Sequence, residues 1–372
     1  LTDGEGLSVK KRLAAALAAL MLLLSGCTAL LEREYVLISP HTATPTAEDD
    51  PSVLRAERYQ DLVNALVHLI YQGAETGAIR LYLDSQDVEA DLEAACQEVM
   101  QEDPLGAYAV EDIHYSIHSI VAYSEAAVQI TYRRTPEQIR SIVSVTGAPA
   151  IRSQLTATLA SFGTDCAIRL RSFQGDEADI RALFQEAYYA TPASALDLPD
   201  LSVTFYPQQG QQCIVEIQLT YHMDRQALEY RRTRTVSACQ ALLDALPASG
   251  SDQRLLAAAQ ALLSLGGYRS DGGSTPYHAL LDGGADSQGL SLAIAMVCQG
   301  LGVNYTLVSG SLEEQPHLWL VVSTTDGWRH LDLTADADGV ALRTDDQMEA
   351  LGRSWDRSAV PQCTADSSSG SV

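Results

Sequence analysis

The sequence predicts an α+β fold made of two tandem copies of one α+β module followed by a third, C-terminal α+β domain. Three observations predict it. Apolar residues recur at helical spacing in several stretches, and alternating strand-like stretches lie between them. A set of short segments also returns at a constant offset of 88 or 89 residues. With 372 residues and 46% hydrophobic content, the chain can bury more than one core.

Residues 1–26 read as a targeting signal. Lys10-Lys11-Arg12 precedes an apolar run from Leu13 to Leu24, too short to span a bilayer comfortably as a permanent helix. The run ends in Leu24-Ser25-Gly26-Cys27, which resembles the bacterial lipobox. That resemblance implies cleavage before Cys27 and attachment of diacylglycerol to its sulfur, so an extracytoplasmic, lipid-anchored protein is expected. Residues 27–51 hold Pro40, Pro45, Pro51 and a polar run from Thr42 to Asp50, the composition of a flexible tether. Acidic residues number 48 against 24 basic ones, for a net charge of −24. Such a surface is repelled by anionic headgroups, so membrane residence must come through the lipid on Cys27. It also argues against a nucleic-acid partner, which needs a concentrated basic surface.

The two copies are read as residues 52–146 and 147–235. In the first, Leu62, Val63, Leu66, Val67 and Ile70 form a helical stripe ahead of Ala78-Ile79-Arg80-Leu81; in the second, Leu155, Leu159 and Phe162 precede Ala167-Ile168-Arg169-Leu170. Glu89-Ala90-Asp91-Leu92 returns as Glu177-Ala178-Asp179-Ile180, and Gln129-Ile130-Thr131-Tyr132 as Gln218-Leu219-Thr220-Tyr221. Each copy is expected to run helix, strand, helix and two strands joined by a turn, with helices on one face of a mainly antiparallel sheet. Arg80 and Arg169 read most simply as outward-facing strand residues. This half carries no phosphate loop and no paired carboxylates, and is expected to be scaffold or recognition surface.

Residues 236–353 are read as a helical connector and a third domain, and 354–372 as a disordered tail. The helical pattern from Asp224 to Leu246 breaks at Pro247-Ala248-Ser249-Gly250, resumes through Leu255 and Leu262, and stops at Gly266-Gly267. Apart from Cys27 six cysteines remain, widely and irregularly spaced, so buried free thiols are expected. No zinc-type Cys/His cluster appears, and neither a metal nor an organic cofactor is expected.

Between Gly267 and Asp336 several short motifs stand in order: Gly283-Gly284, Gln288-Gly289, Leu301-Gly302-Val303, His317-Leu318-Trp319, and Trp328 to Thr334 with Asp332 inside it. Together they resemble the transglutaminase-like superfamily, papain-related enzymes in which a cysteine opens a helix that packs on a sheet bearing His and Asp. The resemblance implies a cysteine-proteinase-type domain with a catalytic triad at Ser287, His317 and Asp332, and a cleft lined by Gln288 and Trp319. His278 and His330 are further candidates for the cleft. Two residues compete for the nucleophile position, since Ser287-Gln288-Gly289 and Cys298-Gln299-Gly300 share a frame. Register favours Ser287, because only it leaves room for a helix, with Leu290, Ala293, Ile294, Val297 and Leu301 on one stripe. Cys298 lies about 16 Å further along that helix and reads as a packed thiol.

Serine where the family keeps cysteine changes the chemistry. A thiol beside an imidazole can wait as a thiolate, whereas a serine hydroxyl must lose its proton during attack to a well-aimed base. Two functions follow. In the first, the third domain is an inactive transglutaminase-like module that binds a peptide, protein or glycan. In the second, it is a Ser-His-Asp hydrolase or acyltransferase acting on peptide or protein substrates.

Overall fold

The computed structural model describes residues 46–47, 53–172, 174–334 and 340–364. The signal segment 1–26 and Cys27 lie outside the described residues. Among the described residues the chain is a mixed α+β protein with three sheets.

The first sheet contains β1 (Thr46–Ala47), β2 (Val53–Ala56), β3 (Thr76–Leu81), β4 (Val110–Ile120) and β5 (Tyr123–Tyr132), in the order β1-β2-β3-β5-β4. Helices α1 (Tyr59–Gln72), α2 (Val88–Gln101) and α3 (Pro104–Ala109) accompany it. The predicted stripe of α1 is the buried one: Leu62, Val63, Leu66 and Ile70 are fully inside, packed with Leu92 of α2 and with Ile79, Val128 and Ile130 of the sheet. Gly73 ends α1 in the left-handed region at φ 69°, where a side chain would strain the backbone.

After α4 (Pro136–Arg140) comes a second sheet of β6 (Val143–Val145), β7 (Asp165–Leu170), β8 (Asp200–Tyr206) and β9 (Cys213–Thr220), in the order β6-β7-β9-β8, with α5 (Gly147–Ala160) and α6 (Glu177–Ala190). Its pairing repeats that of the first sheet. Ile79 faces Leu54 in parallel and Ala126 antiparallel; Ile168 faces Val143 in parallel and Val215 antiparallel. Asp112 faces Thr131, and Asp200 faces Thr220. Arg80 turns outward onto Glu125 at 3.1 Å. Across the junction, Arg134 bonds Glu216 of β9 at 2.6 Å, and Ala167 and Ile214 join the first core.

The third sheet comprises β11 (Tyr305–Leu312), β12 (Gln315–Thr324), β13 (Gly327–Leu331), β14 (Leu342–Arg343) and β15 (Arg353–Trp355), ordered β14-β13-β12-β11-β15 and antiparallel throughout. Helices α7 (Arg225–Asp244), α8 (Ser251–Leu265), α9 (Pro276–Leu281) and α10 (Ser287–Leu301) precede it, strand β10 (Tyr268–Gly273) lies between α8 and α9, and α11 (Asp345–Ala350) lies between β14 and β15.

Four expected boundaries shift. Thr46 and Ala47, read as tether, pair with Arg55 and Leu54. Residues 143–145, assigned to the first copy, pair with β7 of the second sheet. The 235/236 division falls inside α7, a continuous helix whose N-cap Asp224 accepts from the Ala227 N–H. The stretch after Ser354 is not a disordered tail up to Thr364: Trp355 and Gly310 are paired, and Cys363 is fully buried against Trp319 and Met348. Short edge strands explain most of these shifts, since pairing with a partner strand supplies the order that local composition lacks.

Candidate functional site

Helix α10 sets the site. Its N-cap Asp286 accepts from the Gly289 N–H at 2.8 Å, which ties down an N–H the first turn would otherwise leave unpaired. Gly302 closes the helix in the left-handed region. The sequence predicts one apolar stripe, yet all ten residues from Gly289 to Cys298 are buried. The reason is that two cores share the helix: Leu290, Ala293, Ile294 and Val297 belong to the third domain's core, while Leu292 enters that of the second module. Gly289 is packed against the Gly273 carbonyl at 2.6 Å from where a Cβ would stand.

The structure pairs His317 with Asp332 and sets Ser287 against the backbone of the next residue, Leu318. Ser287, at the first turn of α10, accepts a 3.4 Å hydrogen bond from the Leu318 N–H, next to His317 in the chain. His317, on β12, meets Asp332, just past β13, with Nε2 3.0 Å from Oδ2; both are buried. Thr334 Oγ1 is also 3.0 Å from Nε2 and donates to Asp332 Oδ1 at 2.8 Å. The threonine proton is thus directed at the carboxylate, so Nε2 carries the ring's proton and Nδ1 is the basic nitrogen. Among the described residues the Ser287 hydroxyl has one bonding partner, the Leu318 amide, and makes no bond to the imidazole.

Asp332 is the most heavily bonded carboxylate in the site. It accepts from His317, from the Thr334 hydroxyl and N–H, and from Arg353 Nε at 3.0 Å. Burial works against its charge, but the bonds from His317 and Thr334 outweigh burial and hold the carboxyl below its ordinary range. Thr334 lies within the quoted motif. Arg353 was not among the expected site residues; it comes from a three-residue strand with no periodicity to announce it.

The other candidates fall elsewhere. Gln288 is partly exposed and borders a groove of ≈ 370 Å³ whose other wall is the second module, with Phe184, Tyr188, Tyr189 and Leu198. Trp319 does not line a cleft: it is fully buried behind His317, ring centroids 5.8 Å apart, because alternation along β12 sends it into the small core with Met348 and Cys363. His330 is likewise fully buried rather than at a cleft, and His278 is held by Thr275 at 2.8 Å. Cys298 is buried in the third core, and burial pushes its thiol up to about 12.

Among the described residues, His330, Asp345 and Cys363 alone gather metal-ligand atoms, within 4.8 Å of one another. Their hydrogen bonds point to a different use. The Trp319 indole, which can only donate, reaches His330 Nδ1 at 2.9 Å. The proton of the neutral ring therefore sits on Nε2 and is given to Asp345 at 2.8 Å. Burial holds His330 below its ordinary range and pushes Cys363 up to about 12. A neutral histidine with both nitrogens engaged is a structural link, not a ligand waiting for an ion.

Comparison with known proteins adds a faint likeness. No family model and no curated protein matches the sequence. A solved structure of a TGase aligns over 46% of this chain and 52% of its own, with 16% identity and a TM-score of 0.26. The chain thus spans about half the length of that structure.

Proposed function

We propose that this chain is a lipid-anchored extracytoplasmic binding protein whose third domain keeps a transglutaminase-like frame for recognition rather than turnover. The observation that carries the reading is the Ser287 hydroxyl, which accepts from the Leu318 amide and is not bonded to His317. An alcohol attacks a carbonyl only if a base takes its proton in the same step, and here no hydrogen bond joins the hydroxyl to the imidazole that would take it. The groove between Gln288 and the second module supplies the recognition surface, suited by its tyrosines and Leu198 to a peptide, protein or glycan segment. The lipobox at Cys27 supports the anchoring, and the shared register of the two N-terminal sheets supports their origin as copies that act as scaffold.

A second reading, a Ser-His-Asp hydrolase or acyltransferase, is favoured by one feature: Asp332 and Thr334 orient the imidazole as a general base requires, with Nδ1 left for a proton. A fluorophosphonate probe separates the two. The binding reading expects no labelling of the native chain. Labelling that disappears in both Ser287→Ala and His317→Ala overturns it.

A further inference from the structure

The third sheet ends in a strand that is only half covered. On its outer side β11 pairs with β15 at Gly310, Ser311 and Leu312, and there the pairing stops, because the chain leaves the sheet at Asp356 and enters a 3-10 turn, Arg357–Ala359. The stretch Tyr305–Ser309 keeps its inner partner β12. Its outer edge has no strand beside it among the described residues. Asn304 accepts the Ser323 N–H from β12, so by the alternation of an antiparallel ladder Tyr305, Leu307 and Ser309 turn their N–H and C=O groups away from β12 and toward this edge.

Beside the edge lies a trough of ≈ 710 Å³. All five consecutive residues from Tyr305 to Ser309 border it. A cavity over a sheet's face would touch alternate residues; one that touches every residue in a row lies along the backbone edge. The opposite wall is α6 of the second module, through Ala182, Glu186, Tyr189 and Ala190, and Asp356 and Val360 border the trough where β15 leaves the sheet. Ala182 and Ala190 are exposed, so the trough opens to solvent. Glu186 is already paired with Arg152 at 2.8 Å, whereas Asp356 is an exposed carboxylate bonded only within its own turn.

We propose that this trough takes an extended polypeptide segment of another protein, which adds to the sheet beside Tyr305–Ser309 in continuation of β15. The occupant follows from the groups on offer. N–H and C=O groups repeating at strand spacing are matched by another extended backbone, and about five residues at ~3.4 Å each cover the open stretch. The α6 wall is small and apolar at Ala182 and Ala190, so side chains aimed at it are apolar. Asp356, on a chain of net charge −24, favours a lysine or arginine at that end. The trough and the groove at Gln288 share Gln185 and Tyr189, but the inference does not depend on the chemistry of Ser287.

The test presents a pool of random fluorescein-labelled hexapeptides to the full chain and follows amide hydrogen exchange with the selected peptides. The expected result is enrichment of peptides that alternate apolar residues and carry one basic residue. Exchange at the Tyr305, Leu307 and Ser309 amides should slow about tenfold or more. Ala182→Trp, an exposed change that narrows the trough without touching β11, should weaken binding about tenfold or more, and Asp356→Asn should weaken the basic peptides selectively. Failure to enrich any peptide overturns the proposal, as does binding that leaves those three amides unprotected or ignores Ala182→Trp. Dimerisation of the chain alone, blocked by Ala182→Trp, would assign the edge to a second copy and overturn it equally.

Discussion

Asp332 and Ser287 make opposite demands on the fold. Asp332 is buried, with Arg353 Nε, His317 and Thr334 all aimed at it. Asp332→Asn leaves the Arg353 guanidinium inside without its counter-charge, and should cost about 3 kcal/mol in urea unfolding. Ser287→Ala removes one long bond to an amide and should change stability by no more than about 0.5 kcal/mol. Acid sensitivity follows from Asp332 and from His330, which is buried with Trp319 and Asp345. Burial holds His330 below 6.5, so as pH falls below 6.5 the unfolded chain takes up a proton that the folded chain refuses, and stability is lost. Asp332 is held below 3.8; its contribution is whole above that value and is lost as pH falls further, through the lower folded value. Melting curves of His330→Gln, which keeps a donor and an acceptor but cannot titrate, should lack the first loss and keep the second. The His and Asp positions were legible because their spacing is carried by a local motif. Arg353 was not, because nothing in its neighbourhood marks it as the fourth donor to a carboxylate 21 residues away.

Among the elements, periodicity disclosed the helices and missed the short strands. The stripe of α1 and the breaks around α7 and α8 are written in local spacing, whereas strands of two to four residues such as β1, β2, β6 and β15 exist only through their partners. The covered end of β11 depends on Gly310, where an added Cβ would overlap the Ser354 carbonyl and the Trp319 ring. Gly310→Ala should destabilise the third domain by about 1–3 kcal/mol and free β15, measurable as faster tryptic cleavage after Arg353 and Arg357. The thiols offer a clean background for reading α10. The six described cysteines are free and buried, and burial raises Cys96, Cys298 and Cys363 to about 12 and Cys213 and Cys239 to about 11. In Ser287→Cys, iodoacetamide at neutral pH should therefore label position 287 and none of the six described cysteines; a rate well above that of a model thiol would indicate that His317 lowers a nucleophile's pKa.

For the whole molecule, the units are coupled by buried contacts rather than strung on linkers. Arg134 of the first unit meets Glu216 of the second with both side chains largely inside, and Glu216→Ala should cost about 3 kcal/mol by stranding the arginine. Leu292 and Leu307 link the second core to the third domain; Leu292→Ala should lower stability by about 2–5 kcal/mol, and calorimetry should show both units melting earlier together. The sequence could expose the 88- or 89-residue offset but not this docking, since a leucine on an apolar helix looks the same whichever core receives it.

That sharing sets where along α10 substitution can be borne. Residues 289 to 298 are walled in on every side, so drift along α10 would unseat two units whatever the protein does. Ser287, half open at the helix's mouth, bears no such masonry. A change at position 287 therefore leaves both cores standing, so the fold constrains what lies behind the helix's mouth far more than the residue that sits in it.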